Sequence, residues 1–200
     1  MAYDSATALI VVDVQNDFAD AEGSLTVEGG AAIVPIINTE IDRARAAGSV
    51  IVLTQDWHPP TTPHFVTDGG IWPVHCVVDT WGAALHPDLA APDDAIRIRK
   101  GASGEDGYSA FTMRDPRTGA TTPTELEGAL RHAGVTDVVV CGLATDYCVS
   151  ATAQDAVRLG FATSLLTDAI AAVGLEPGDG ARAIDAMRDA GIELCRAEPA

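Results

Sequence analysis

Basic residues are scarce in this chain, with 12 Lys and Arg against 29 Asp and Glu, a formal net charge of −17. Nucleic acids and anionic membrane surfaces carry the same sign and would repel such a surface, so neither is expected as a partner. Long apolar runs are missing too: no stretch approaches the roughly 20 residues that cross a bilayer. The first residues carry no basic segment and no cleavage site, so residence in the cytoplasm is the expectation. Cysteine is sparse, at positions 76, 141, 148 and 195, with no CxxC spacing. That excludes a disulfide framework and disfavours a dithiol redox centre, and the four are expected to be free thiols. No stretch resembles a linker, and residues 1–200 are read as one domain.

What the chain does have is rhythm. Apolar, β-branched runs at 8–12, 50–53, 96–98, 138–140, 162–166 and 192–194 read as strands. Helix-period segments lie at 32–47, 124–133, 147–159 and 178–190, each followed by a glycine (Gly48, Gly134, Gly160, Gly191) where a helix end favours a left-handed residue. Strands that are apolar throughout, alternating with helices, predict an α/β, doubly wound domain with a mostly parallel sheet of about six strands and helices on both faces. Residues 114–123 read as an exposed turn or hairpin. Residues 55–95 lack periodicity but are rich in Pro, Gly, Trp and His, and a loop of that length in a small domain points to function.

In an open parallel sheet, ligands bind beyond the carboxyl ends of the strands. Asp13, Asp56, Lys100 and the Gly142–Cys148 turn all fall at such ends. Cys148 opens a helix, where free backbone N–H groups and the helix dipole favour a thiolate and could receive an oxyanion, and Thr145 or Asp146 can cap that helix. A carboxylate and an amine beside a thiol supply a proton acceptor, an electrostatic balance and a nucleophile. Taken singly, Asp13 suits a turn, Lys100 a surface and Cys148 a core, so the reading rests on their convergence. Asp56, His58, His64 and His75 are candidate ligands for one divalent metal ion, zinc first, with iron or manganese also suited to imidazole and carboxylate donors. Phe18, Trp72 and Tyr108 are either core aromatics or walls of the site. Cys76, Cys141 and Cys195 are read as packing residues, His86 as a loop residue and His132 as part of a helix C-terminus.

The segments Ala8-Leu-Ile-Val-Val-Asp13-Val-Gln-Asn-Asp-Phe18, Thr54-Gln-Asp56-Trp-His58-Pro, Trp72-Pro-Val-His75-Cys, Lys100-Gly, Tyr108-Ser-Ala-Phe111 and Gly142-Leu-Ala-Thr-Asp-Tyr-Cys148-Val together resemble the nicotinamidases of the isochorismatase-like hydrolases. The resemblance implies a catalytic triad of Asp13, Lys100 and Cys148, and a metal held by Asp56, His58 and His75, with His64 added in some members. It also implies a cis peptide before Ala144, an oxyanion hole from the Ala144 and Cys148 amides, and a pyridine ring held between Phe18 and Trp72 near Tyr108. The implied reaction hydrolyses nicotinamide to nicotinic acid and ammonia through a thioester. The expected partner is thus a small molecule, and the resemblance leaves monomer, dimer and larger homo-oligomeric rings open. Glu105 and Asp106 depart from the pattern, placing acidity where relatives are expected to be uncharged or aromatic. The competing readings are another amidohydrolase of the same superfamily and a catalytically silent metal-binding or small-molecule-binding module.

Overall fold

The computed structural model describes residues 2–198. Its centre is strand β1 (Thr7–Val12), whose six residues are all buried because it is sandwiched between neighbouring strands and covered on both faces. β1 pairs in parallel with β2 (Val50–Asp56) on one side and β6 (Asp137–Leu143) on the other. With β3 (Ile96–Lys100), β7 (Ala162–Ala171) and β8 (Glu193–Cys195) the sheet runs β3-β2-β1-β6-β7-β8, every neighbouring pair parallel. β4 (Thr112–Arg114) and β5 (Thr121–Pro123) form a separate antiparallel hairpin, as the turn-rich segment predicts.

Side-chain alternation along the strands divides the interior in two. Leu9 and Val11 pack with Ile51, Leu53, Val139 and Cys141 beneath α2 (Gly30–Ala46), through Ile33, Val34, Ile37 and Ile41. Ala8, Ile10 and Val12 point the other way, toward Leu126 and Leu130 of α3 (Leu126–His132), Ala153 and Ala156 of α4 (Ser150–Arg158), and Met187 of α5 (Asp179–Asp189). The remaining helix, α1 (Asn16–Ala19), is a single turn after β1 that the sequence reading did not anticipate. The four glycines expected at helix ends all have positive φ. No helix among the described residues is long and apolar enough to cross a membrane.

The chain builds β1, β2 and β3 outward in one direction and then returns to place β6 on the other side of β1, so the strand order reverses between β1 and β6. A crevice opens at such a reversal. At its base Gly142 pairs with Val12, and there φ is +110° and a Cβ would lie 2.2 Å from the Val12 carbonyl oxygen. Gly142→Ala is therefore expected to cost about 3 kcal/mol, from backbone strain and overpacking combined. A denaturation midpoint within a few tenths of a kcal/mol of wild type would contradict that.

The 57–95 segment has one 3-10 turn (Val66–Asp68) but is tied down throughout. The Gln15 side-chain amide donates to the Asp56 and Ala83 carbonyls, and its oxygen accepts from the Asp56 N–H. Asn16 donates to the Trp81 carbonyl, and the buried Asp17 carboxylate accepts from the Cys76 N–H at 2.6 Å. The short α1 turn thus fixes the loop against the sheet edge.

Candidate active site

Lys100 is the only lysine in the chain, and it is completely buried. Its ammonium lies 2.6 Å from Asp13 Oδ2, 2.7 Å from Asp56 Oδ1 and 3.4 Å from Cys148 Sγ. These contacts follow from register. Lys100 ends β3 directly beside Asp56 at the end of β2, and Asp13 follows β1, the next strand over. Asp13 is held in left-handed backbone (φ 49°), and its other oxygen accepts a 2.5 Å hydrogen bond from Thr54 Oγ1.

Two carboxylates and one ammonium in a buried site do not titrate alike. Burial raises the Asp13 carboxyl, with Asp56 adding to the rise and Lys100 opposing it. Burial pushes Asp56 up as well, but Lys100, together with His58 and His75, outweighs it and holds Asp56 well below the usual carboxylate range. Of the pair, Asp13 is the better proton acceptor. Burial works against the Lys100 charge, yet the two carboxylates keep its pKa well above the ordinary value.

The expectation that a helix start makes Cys148 a thiolate needs correction. Burial lifts the thiol well above its ordinary pKa, Lys100 opposes, and the Asp13 and Asp56 charges add to the rise. A helix terminus is worth up to about 2 kcal/mol, whereas full burial shifts a pKa by as much as about 3–5 units, so burial wins. Cys148 also sits before the α-helix rather than within its first turn, in a π-turn (Thr145–Val149) where the Val149 N–H donates to the Ala144 carbonyl. Neither Thr145 nor Asp146 caps through its side chain. The Asp146 carboxylate instead accepts from the Val173 and Gly174 N–H groups, both at 2.9 Å, and so tethers the segment after β7 to the site. The peptide bond between Leu143 and Ala144 is cis.

Beside this set stand three imidazoles. Ring nitrogens of His58, His64 and His75 lie within 4.8 Å of one another, and Asp56 Oδ2 is 3.7 Å from His58 Nε2 and 3.9 Å from His75 Nε2. Burial, with His58 nearby, depresses His64 to about 4, and burial also lowers His75, so both rings are neutral near pH 7. His75 Nδ1 meets the Pro73 carbonyl at 2.7 Å. Because a carbonyl only accepts, the proton sits on Nδ1 and Nε2 keeps a free lone pair. Both nitrogens of buried His58 lack a hydrogen-bond partner among the described residues, a costly arrangement unless another group takes the lone pair. Three imidazoles and one anionic carboxylate fit a borderline divalent cation.

Both sets face one pocket lined by Phe18, Leu25, Asp56, His64, Trp72, His75, Tyr108, Ala144, Tyr147, Cys148 and Val173. Trp72 Nε1 donates to the Tyr108 hydroxyl at 3.1 Å, and Tyr147 packs edge-on against both rings.

The isochorismatase domain model matches residues 7–199. The chain belongs to the isochorismatase family. A nicotinamidase/pyrazinamidase from Mycobacterium tuberculosis is 41% identical to it, over 94% of this chain and 97% of the relative. The pyrazinamidase of Pyrococcus horikoshii, solved in complex with zinc, is 39% identical with a TM-score of 0.84, covering 96% of this chain and 99% of the other. PnC1 from L. infantum, solved in complex with nicotinate, is 38% identical with a TM-score of 0.89, covering 98% and 96%.

Within this family fold, every catalytic, metal-ligating or ring-holding candidate from the sequence falls in one of the two sets or on the pocket wall. Glu105 and Asp106 do not: Glu105 accepts from the Ser103 N–H, Asp106 pairs with Arg114 of the hairpin, and neither lines the pocket. Sequence reasoning missed Tyr147, Leu25 and Val173 on the wall, Thr54 and Gln15 behind the carboxylates, and Gly101. At Gly101 φ is +74° and a Cβ would sit 2.5 Å from His58 Nδ1, so glycine is what lets the ring lie against the backbone. Lys100 could have been singled out more firmly: a lone lysine in a chain whose other cations are all arginine is a sequence-level signal.

Proposed function

We propose that the chain is a nicotinamidase, hydrolysing nicotinamide to nicotinic acid and ammonia through a thioester on Cys148. The observation that carries this reading is the meeting of the Asp13–Lys100–Cys148 set and the imidazole set on one aromatic-walled pocket. Nicotinate held by the L. infantum relative and the nicotinamidase/pyrazinamidase at 41% identity support the substrate class.

Phe18, Trp72 and Tyr108 hold a flat ring by its faces and edge. Asp13, the carboxylate with the raised proton affinity, takes the Cys148 proton, and sulfur attacks the carboxamide carbon. The Ala144 and Cys148 amides receive the oxyanion. Asp13 returns its proton to the departing nitrogen, ammonia leaves, and a thioester remains. Water then gives a proton to Asp13 and attacks the thioester carbon, and the proton passes back to sulfur as nicotinic acid is released. Lys100 keeps its charge throughout and offsets the negative charge that moves between Asp13 and sulfur.

Asp56, His58, His64 and His75 would hold a divalent ion, zinc by likeness to the P. horikoshii protein. When bound, it supplies a Lewis-acid contact for a neutral nitrogen or oxygen donor on the ring. Ammonia release from nicotinamide, with and without a chelator, tests the reading. Turnover is expected, with KM raised at least about tenfold after chelation, the loss of one good ligand contact. An unchanged KM would remove the metal from substrate binding. Silence toward nicotinamide with turnover of another small amide would favour a different amidohydrolase of the family. Silence toward all, with Cys148 inert to nicotinaldehyde, would favour a binding module.

A further inference from the structure

The oxygens of Asp13 and Asp56 and the sulfur of Cys148 form a second donor set, all within 4.8 Å of one another and buried. Its chemistry, two carboxylates and a thiol, is that of a site for a borderline divalent cation. Lys100 Nζ stands among the three donors, at 2.6, 2.7 and 3.4 Å. We propose that the Lys100 ammonium occupies this position as a tethered cation and so excludes a metal ion from the Asp13–Asp56–Cys148 set, leaving the thiol available as nucleophile.

Three observations converge on this. Asp56 divides its oxygens between the two sets, Oδ1 on the ammonium and Oδ2 toward His58 and His75. A carboxylate so placed would bridge two ions if the ammonium were replaced by one, as in two-metal sites. Ligand bonds of about 2.0–2.3 Å are shorter than the ammonium contacts, so the donors would need to close by only about 0.5–1 Å. Finally, Lys100 cannot step aside: it is wholly buried, emerges from a strand paired with β2, and has no aqueous position to which its charge could move cheaply. A free cation competing with it meets a fixed positive charge a few ångströms away.

The problem solved is one this arrangement creates. A protein that holds a metal ion beside a nucleophilic thiol risks a second ion capturing that thiol, since coordination strips its proton and ties up the sulfur lone pair. A lysine from the neighbouring strand end supplies the charge the two carboxylates need without sequestering sulfur. The idea rests on the proposed histidine site only for the shared role of Asp56, because the thiol and Asp13 belong to the second set alone.

The test uses chelator-stripped, full-length protein titrated with cobalt(II) without oxygen, reading bound equivalents by equilibrium dialysis and the sulfur-to-cobalt charge-transfer band in the near ultraviolet. Wild type is expected to saturate at about one equivalent with no such band, whereas Lys100→Ala and Lys100→Leu bind about one further equivalent and acquire it. Adding Cys148→Ser to either variant should abolish the band. Variants with wild-type circular dichroism that show neither the band nor a further equivalent overturn the proposal. A band in wild type also overturns it, and this arm decides if neither variant folds. Wild type that binds no cobalt refutes the histidine site instead, while the band in the variants still reports on the second set.

Discussion

Cys148→Ala is expected to lower ammonia release by about 10⁴-fold or more, which corresponds to at least about 5.5 kcal/mol of transition-state stabilisation. Two features set the size of the effect. The thiol is the one nucleophile on the described pocket wall that stands beside a carboxylate of raised proton affinity. The alternative, direct attack by water, would have to proceed on the poorly electrophilic carboxamide itself, without the more reactive thioester that sulfur supplies. The variant should still bind metal, because His58, His64 and His75 do not depend on the sulfur. It should also fold: removing one small buried thiol beside two carboxylates changes stability by about 1 kcal/mol. Metal content and the denaturation midpoint therefore separate loss of chemistry from loss of structure. Turnover within tenfold of wild type would end the nucleophile assignment.

The fold was legible because strands covered on both faces carry continuous apolar runs, as β1, β2 and β6 do at Ala8–Val12, Val50–Leu53 and Val138–Val140. Their carboxyl ends were underestimated for a related reason. Thr54, Gln55 and Asp56, like Arg99 and Lys100, continue the β2–β3 ladder although their side chains are polar. Hydrogen bonding, not hydropathy, carries the strands into the site. The same rule that ligands gather beyond strand ends pointed to Asp13, Asp56, Lys100 and the Cys148 turn, since it depends only on topology. What the sequence could not convey was the balance of burial against helix polarity at Cys148, or the use of Asp146 to hold Val173 and Gly174 rather than to cap a helix. Each depends on which groups lie within a few ångströms, and those lie far apart in the chain. Tyr147 was passed over because a half-buried aromatic beside a nucleophile has no distinguishing residue pattern; only its contacts with Trp72 and Tyr108 place it on the wall.

Asp13→Asn should be nearly as damaging as loss of the thiol, with kcat/KM falling by about 10³–10⁴-fold, or about 4–5.5 kcal/mol. The amide keeps the shape but cannot take a proton. Its effect reaches further because Asp13 is one of the two carboxylates against the Lys100 ammonium. In this variant Lys100 remains paired to Asp56 alone, and a thiolate at Cys148 becomes electrostatically easier to form, since a neighbouring negative charge is gone. The two consequences oppose each other and are separable by experiment. If Asp13 serves chiefly as the proton carrier, the thiolate of Asp13→Asn should alkylate at least as fast as that of wild type at high pH while ammonia release stays depressed, because departing ammonia still lacks a proton donor. If Asp13 merely positions Lys100, alkylation and turnover should fall together. Peptide mapping would separate alkylation of Cys148 from that of the half-buried Cys195, while Cys76 and Cys141 are buried in the packed core. Unchanged turnover in this variant would remove Asp13 from the proton path and leave the high proton affinity of its carboxyl without a role in the chemistry.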